Sequence, residues 1–433
     1  MTDTTQQNGA PATSNIDKVN KTLAKRYRAE KRFRLYGILS IAFGLLALVI
    51  LFTDIISKGK GAFFQAYIQL EVTYDADVLG VYDVNDEDQM ALANFEGVVK
   101  KALRDRFPEA STRKQKKELY RIASLGASFE LRERLQNDPQ LLGKTETLWL
   151  LADDDIDTYY KTLSGEEFTG ATTENQRTWT KALAESGEIE LQFSRNFFSN
   201  GDSREPELAG IWGAAKGSFF TLLITLMLSF PIGVAAAVYL EEFAPKNKWT
   251  DLIEVNINNL AAVPSIIFGL LGLAVFINFF HTPRSTPIVA GLVLTLMTLP
   301  TIIISSRAAI KAVPPSIRQA AMGMGASPMQ VVLHHVLPLA MPGMLTGSII
   351  GMAQALGESA PLLMIGLVAF VVDVPGAIND PATVLPVQIY LWADSPERAF
   401  VEKTSAAIMV LLSFLIMMNT LAVILRKRLE RRW

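Results

Sequence analysis

A single carboxylate, Glu358, stands within an apolar run over residues 339–371. In hydrocarbon such a group must be paired, protonated or turned toward a bundle interior or aqueous cavity. Two readings are open: a gating residue that pairs with an arginine of a partner, or a hydrogen-bonded packing residue. Ser305, Ser306 and Arg307 close another apolar run. Two hydroxyls and a forked guanidinium suit an oxyanion leaving the membrane, although a basic residue there also serves as an ordinary positive anchor. The segment from Arg307 to Pro338 reads RAAIKAVPPSIRQAAMGMGASPMQVVLHHVLP. Pro314 and Pro315 break a helix, Ser316 is placed to cap the next, and Gly325 with Pro328 separates it from another over 329–337. This helix–turn–helix is either a dock for a partner or a plain interfacial connector. Finally, Gly343, Gly347, Gly351, Ala355 and Ser359 recur at every fourth position. That small-residue stripe favours close approach of another helix, from a sister subunit or from this chain.

Other chemistries are excluded. The 433 residues contain no cysteine and three histidines, His281, His334 and His335. Thiol nucleophiles, disulfides and Cys-based metal centres are therefore absent, and the histidines lack neighbouring ligands. No G-x4-G-K-[ST] motif occurs, so the sequence carries no P-loop of its own. The Asp83, Asn85, Asp86 and Asp88 run lacks the EF-hand glycine, and Asn94 stands where its terminal glutamate belongs. Asp153, Asp154, Asp155 and Asp157 read as a solvated turn. No catalytic constellation, cofactor or metal is expected.

The elements that must position these residues lie in a membrane. Half of the chain is hydrophobic, 19% is charged and the net charge is -2, against about 25% charged residues in ordinary soluble proteins. Near-neutrality also argues against nucleic-acid binding. Residues 35–53 form an uncharged stretch preceded by eight basic residues between Lys18 and Arg34. Lys58 and Lys60 follow it, so the pattern predicts an uncleaved anchor rather than a signal peptide. Five further spans are predicted at about 218–239, 257–280, 287–305, 339–371 and 406–425. The fourth of these is too long for a straight helix and is expected to bend near Pro342 or Pro361. Six spans place both termini on one side. Lys246, Lys248, Arg307, Lys311, Arg318 and the basic tail 426–433 then fall inside, whereas Arg284, Arg398 and Lys403 fall outside.

Residues 54–210 differ, with 19 basic and 29 acidic side chains by count. They predict an α+β domain on the outer side of the membrane. Ile68, Leu70 and Val72 alternate with polar residues, as do Ile189, Leu191 and Phe193, which predicts two half-buried strands. Met90, Phe95, Val98, Val99, Leu103 and Phe107 fit one face of a helix. Helices are also expected over 112–124 and 175–185, and residues 1–34 form a polar, basic, disordered tail. The expected fold is thus an all-α polytopic membrane protein with six transmembrane helices and an inserted α+β outer domain.

The spacing of Gln319-Ala320-Ala321, Gly325 and His335-Val336-Leu337-Pro338 resembles the EAA loop of ABC-importer permeases, E-A-A-x3-G-x9-I-x-L-P. Gln319 stands in place of the usual acid, and His335 in place of an aliphatic residue. GESAPLL (357–363), YLEEFAP (239–245) and VPSIIFGLLGLAVF (263–276) resemble the phosphate-transport permease family PstA. Gln354 and Ile304 stand where relatives often carry arginine, and Arg307 where they often carry an acid. Over residues 211–425 the resemblance implies a type I, MetI-like importer permease in a bacterial cytoplasmic membrane, with cytoplasmic termini. It implies as partners a second, PstC-like permease, a PstB-like ATPase dimer holding ATP and magnesium, and a periplasmic PstS-like phosphate-binding protein. It places ATPase coupling on Gln319, Ala320, Ala321, Gly325, His335, Leu337 and Pro338. Two rival functions remain: a permease for molybdate or sulfate, and a membrane sensor using the outer domain.

Overall fold

The computed structural model describes residues 15–163 and 171–429. The start of the expected disordered tail, residues 1–14, lies outside them, as do the last four residues of the basic C-terminal tail. From Asn15 the chain is already helical: α1 (Asn15–Gly59) is one 45-residue helix. The expected anchor lies inside it, so the basic stretch 18–34 is helical rather than disordered. Nothing in its sequence interrupts the helix, which contains no proline and only isolated glycines.

The outer domain is built on a three-stranded antiparallel sheet of order β2-β1-β3. Its elements are β1 (Phe64–Thr73), α2 (Glu87–Leu92), α3 (Phe95–Arg106), α4 (Arg113–Leu119), α5 (Gly126–Asn137), β2 (Thr145–Leu151), α6 (Asp154–Thr162), α7 (Glu174–Ser186) and β3 (Ile189–Phe193). Alternation works as expected in β1, where Ile68, Leu70 and Val72 enter the core beside Leu148, Val98, Leu131 and Trp179. In β3 only Ile189 does so. Leu191 and Phe193 are exposed, because this edge strand runs past the helices into an aromatic patch where Phe193 stacks on Phe198 at 5.4 Å. The expected helix face from Met90 to Phe107 is fully buried, but it is divided in two. Asn94 accepts the Gly97 N–H at 2.9 Å and caps α3 afresh.

The membrane part comprises α8 (Trp212–Val238), α9 (Lys248–Ala261), α10 (Ser265–Gly272), α11 (Pro287–Lys311), α12 (Pro315–Gly323), α13 (Leu337–Gly357), α14 (Leu385–Ala393) and α15 (Ala399–Leu429). Among the described residues, five helical stretches are long and apolar enough to cross a membrane. The pair Lys248–Ala261 and Ser265–Phe279, bent by 102°, makes six only if counted as one span. The straight span expected over 257–280 is thus broken. Pro264 lacks an N–H and disfavours helix in the residue before it. The run 339–371 is broken as well, one turn before Pro361. Its helix stops at Gly357, and Glu358 is extended (φ -84°, ψ 122°), since Pro361 has no N–H to offer the Gly357 carbonyl. Pro342, the other expected bend point, lies inside the continuous α13.

Candidate functional site

The loop between α11 and α13 is a compact two-helix knob. Pro314 occupies the N-cap of α12 without a side-chain hydrogen bond, so Ser316 is inside the helix and does not cap it. At the other end Gly325 N–H bonds the Met322 carbonyl and Ala326 N–H bonds Ala321, at 2.9 and 3.1 Å. This is a Schellman closure, and it requires the left-handed φ of +89° found at Gly325. Gly325 therefore serves the turn. Ser327 begins the next helix with a capping box to Gln330. That helix does not end as a separate surface element: it passes through a π-helical turn at Val332–Val336 directly into α13.

One side of the knob is fixed to the bundle. Ala321 packs with Ile310, Val313, Val331, Val336, Ala340 and Met344 in a buried cluster, so its small side chain admits neighbours from this chain. Gln319, Ala320, Met322, Met324, Met329 and Leu333 are exposed on the other side, Met324 at 77%. His335, Leu337 and Pro338 are half-buried along the junction with α13.

Ion pairs tie the knob, and α11 beside it, to the ends of neighbouring helices. Arg318 grips Glu242 through Nη2 at 2.7 Å and Nε at 3.2 Å. It also donates to the carbonyls of Val313 (2.7 Å) and Ile310 (3.0 Å) at the end of α11. Arg307 is 8% exposed and lies 2.5 Å from Glu241 and 2.6 Å from Glu254. Lys311 joins Glu241 at 3.3 Å. With Nε and Nη2 committed to carboxylates, Arg307 is a strut between α11, the π-helical end of α8 and α9 rather than an anion exit group. Glu241, Glu242 and Glu254 were missed by sequence reasoning. The signal for Glu241 and Glu242 was the paired acids of YLEEFAP at the end of an apolar helix, opposite a basic loop; Glu254 had none.

Ser305 and Ser306 do not join Arg307 in one donor cluster. Ser305 faces Gly347 across the α11–α13 contact, and the Ser306 hydroxyl is buried without a partner. The glycine stripe lies on this same contact. A Cβ on Gly343 would meet Ala309 at 2.7 Å, and one on Gly347 would strike the Ser305 hydroxyl. At Gly351 the nearest atoms, on Ile302 and Thr298, are 3.8 Å away. Ala355 is buried farther along, Ser359 is half-buried past the helix end, and Gln354 is exposed. Glu358 is half-buried at the break after α13, and its carboxylate has no hydrogen-bonding or ion-pair partner among the described residues.

A second polar centre joins the outer domain to the membrane part. Gln65 Nε2 donates to the Glu207 carbonyl at 2.6 Å, and Ser194 donates to Gln65 at 2.8 Å. Lys161 bridges Asp157 (2.5 Å) and Glu402 (3.1 Å). Lys403 Nζ donates to the Ala209 carbonyl at 2.6 Å, and Trp392 Nε1 to Asp202 at 2.8 Å. The Asp153–Asp157 run is therefore the half-buried N-terminus of α6, not a solvated turn: Asp153 caps the helix, and Asp157 accepts the Ala66 N–H at 2.7 Å. Burial, with the Asp154 charge next, pushes the Asp153 carboxyl up to about 8. Burial likewise raises Asp154 to about 6 and Glu207 to about 7.

Residues 229–433 match the family described as binding-protein-dependent transport system inner membrane component. Residues 20–168 match a domain of unknown function, DUF3333. The probable ABC transporter permease protein YqgI of Bacillus subtilis is 35% identical over 173 residues, which are 40% of this chain and 58% of that protein. The chain thus spans less than two thirds of that relative's length. The phosphate transport system permease protein PstA of Haemophilus influenzae is 29% identical over 47% of this chain and 71% of its own. PstA 1 of Mycobacterium tuberculosis (strain H37Rv) is 27% identical over 52% and 71%. Among solved structures, the inward-facing MetNI methionine ABC transporter covers 51% of this chain and 98% of its own at 21% identity and a TM-score of 0.43. The matched segment holds the knob, the ion pairs and the glycine stripe. With its long apolar helices, it makes this a multi-pass membrane protein.

Proposed function

We propose that the chain is a permease subunit of an ATP-driven importer that carries inorganic phosphate across a bacterial cytoplasmic membrane. The carrying observation is the knob between α11 and α13. It offers a partner an exposed methionine-rich face, suited to an adaptable apolar contact; Arg318 ties its other face to Glu242 beyond α8, and Arg307 ties the adjoining α11 to α8 and α9. Such a lever passes force without dissipating it. A separate ATPase dimer docks on that face, and closing it on ATP moves the knob and, through Arg318 and Arg307, the ends of α8, α9 and α11. Both termini and the knob lie in the cytoplasm, and the outer domain lies on the other side. A sister permease completes the path, and Glu358, whose carboxylate has no partner among the described residues, pairs with an arginine of that sister. A binding protein delivers the anion from outside. Phosphate rests on the PstA relatives at 27–29% identity.

The test is labelled phosphate uptake in cells lacking this chain, with and without its restoration, in the presence of excess molybdate or sulfate. Restored uptake that ignores the competitors supports the reading. Inhibition by either competitor moves the assignment to that oxyanion. No restoration, with the protein present in the membrane, removes phosphate. The Glu358→Gln variant should assemble normally and lose uptake at least tenfold; full uptake would return Glu358 to a packing role.

A further inference from the structure

One edge of the outer domain leaves its aromatic rings uncovered. Phe64 at the start of β1, Leu191 and Phe193 in β3, and Phe198 in the short helix Arg195–Ser199 are 47, 44, 55 and 40% exposed. The Phe64 ring meets Phe193 edge-on at 6.3 Å, and Phe193 stacks on Phe198. A contiguous apolar patch of this kind marks a surface that something covers. The patch does not stop at the domain. Phe198 stacks on Phe63 at 5.7 Å and meets Phe197 at 5.0 Å, Phe197 packs on Trp392, and Trp392 on Phe400. These last three rings are buried with Ile211 and Ala406, where α8, α14 and α15 come together. A single run of rings therefore passes from the open edge into the membrane bundle.

Backbone contacts fix the height of the edge. The Phe197 carbonyl accepts the Ile211 N–H at 2.8 Å, so the helix carrying Phe198 is fastened to the residue just before Trp212. Trp212 opens α8 and is itself 48% exposed. Gly59, shortly before Phe64 in the chain, lies against Ser405 and Ala406. There the uncharged run of α15 begins, after Glu402 and Lys403. Phe63, Phe64 and Phe198 thus stand just beyond the ends of apolar helical runs, the level at which aromatic side chains meet headgroups. Two exposed bases adjoin the rings in sequence, Lys60 before Phe64 and Arg195 between Phe193 and Phe198.

We propose that this edge is seated in the bilayer, with Phe64, Phe193 and Phe198 in the boundary between headgroups and acyl chains of the leaflet beside the outer domain. Lipid fits the patch better than a protein partner does. The rings continue the ends of membrane helices, and apolar rings with bases beside them are the pairing that binds a lipid interface. Seating holds the domain at a fixed height over α8 and α15, which share its run of rings. The inference requires only that the apolar helices cross a bilayer, and it is independent of what the permease carries.

The chain contains no cysteine, so Phe64→Cys, Phe193→Cys and Phe198→Cys each provide one position for a nitroxide label. The full-length variants are reconstituted in nanodiscs of phosphatidylethanolamine and phosphatidylglycerol. Collisions of the label with oxygen, which concentrates in lipid, are compared with those of a water-soluble nickel chelate. Thr145→Cys supplies the reference: Thr145 is exposed and pairs with Thr73 at the far end of β1, about 30 Å along the strand from Phe64. The expected result is a several-fold loss of nickel collisions at all three ring positions relative to Thr145, with oxygen collisions raised. Labels at Phe193 and Phe198 as open to nickel as the one at Thr145 overturn the proposal. A label that is wet in the chain alone and shielded only when a sister permease is added overturns it equally, and makes the edge a protein interface. Should Phe198→Cys fail to fold, the labels at Phe64 and Phe193, farther out on the patch, decide in its place.

Discussion

Replacing Arg318 with alanine should free the knob from the bundle without unfolding it. Arg318 ties α12 to Glu242 beyond α8 by two nitrogens and to the end of α11 by two carbonyls. Its side chain is 21% exposed and that of Glu242 12%. At such burial, losing one partner costs roughly 3 kcal/mol or more, because the other charge is left uncompensated. The Ala321 cluster remains, so the loss falls on docking of α12. About 3 kcal/mol is a factor of about 150 in the docked-to-undocked equilibrium. Hydrogen exchange of the Pro315–Gly323 amides in the detergent-purified chain should therefore accelerate by about two orders of magnitude, while amides inside α11 change little. In the reconstituted importer, phosphate moved per ATP should fall at least tenfold with hydrolysis largely retained. Arg318→Lys keeps the charge but not the fork and should lie between. Exchange within threefold of wild type would refute the clamp, and tight coupling despite fast exchange would refute its role in transmission.

Other outcomes follow from single positions. Gly347→Ala should destabilise by about 1–3 kcal/mol through collision with Ser305, whereas Gly351→Ala, with 3.8 Å of room, should be neutral or slightly stabilising; thermal unfolding of the two variants checks the contrast. Gly325→Ala should cost about 1–2 kcal/mol, since φ +89° strains any Cβ, with the loss read as faster exchange at Met324 and Gly325. Asp75, held below the usual carboxylate range by the Lys101 ammonium at 2.7 Å and by the Asp77 N–H, contributes stability above its unfolded pKa. That contribution disappears as pH falls through its lowered folded value. Asp75→Asn should therefore be less stable than wild type at neutral pH, with the gap closing on acidification.

The parts legible in the sequence were those whose cause is local. Period-two burial in β1, the helical face of Met90–Phe107 and the long uncharged runs each state which side of an element is apolar, and burial follows. Spacing from Gln319 to Pro338 fixed the knob as two helices because prolines and a glycine act on their own backbone. What escaped depends on residues far apart in the chain. β2, with Thr145, Glu146 and Thr147 ahead of an apolar end, is a strand because it pairs with β1, Tyr67 opposite Leu151; nothing local demands it. The helix break at Pro264 was misjudged for the opposite reason: apolar composition was allowed to outweigh a proline whose missing N–H decides the backbone, whereas the bend expected near Pro361 falls one turn earlier, at Glu358.

Charges were the hardest to place. A basic residue at the end of a span has the same sequence whether it meets lipid headgroups, an anion or a carboxylate, and only the fold distinguishes them. Arg307 illustrates this, since Glu241 and Glu254 precede it by more than fifty residues. So does Asp154, which lines a small cavity together with Glu207 and the start of α15. In both places charge is enclosed where two parts of the chain must stay in register: the knob with the bundle, and the outer domain with the membrane helices. A buried charge is a poor source of net stability but a strict condition on geometry, since a misplaced partner leaves it uncompensated. Enclosed charge at a joint therefore marks a place whose geometry is held, and the Arg318 variant asks what it is held for at the knob.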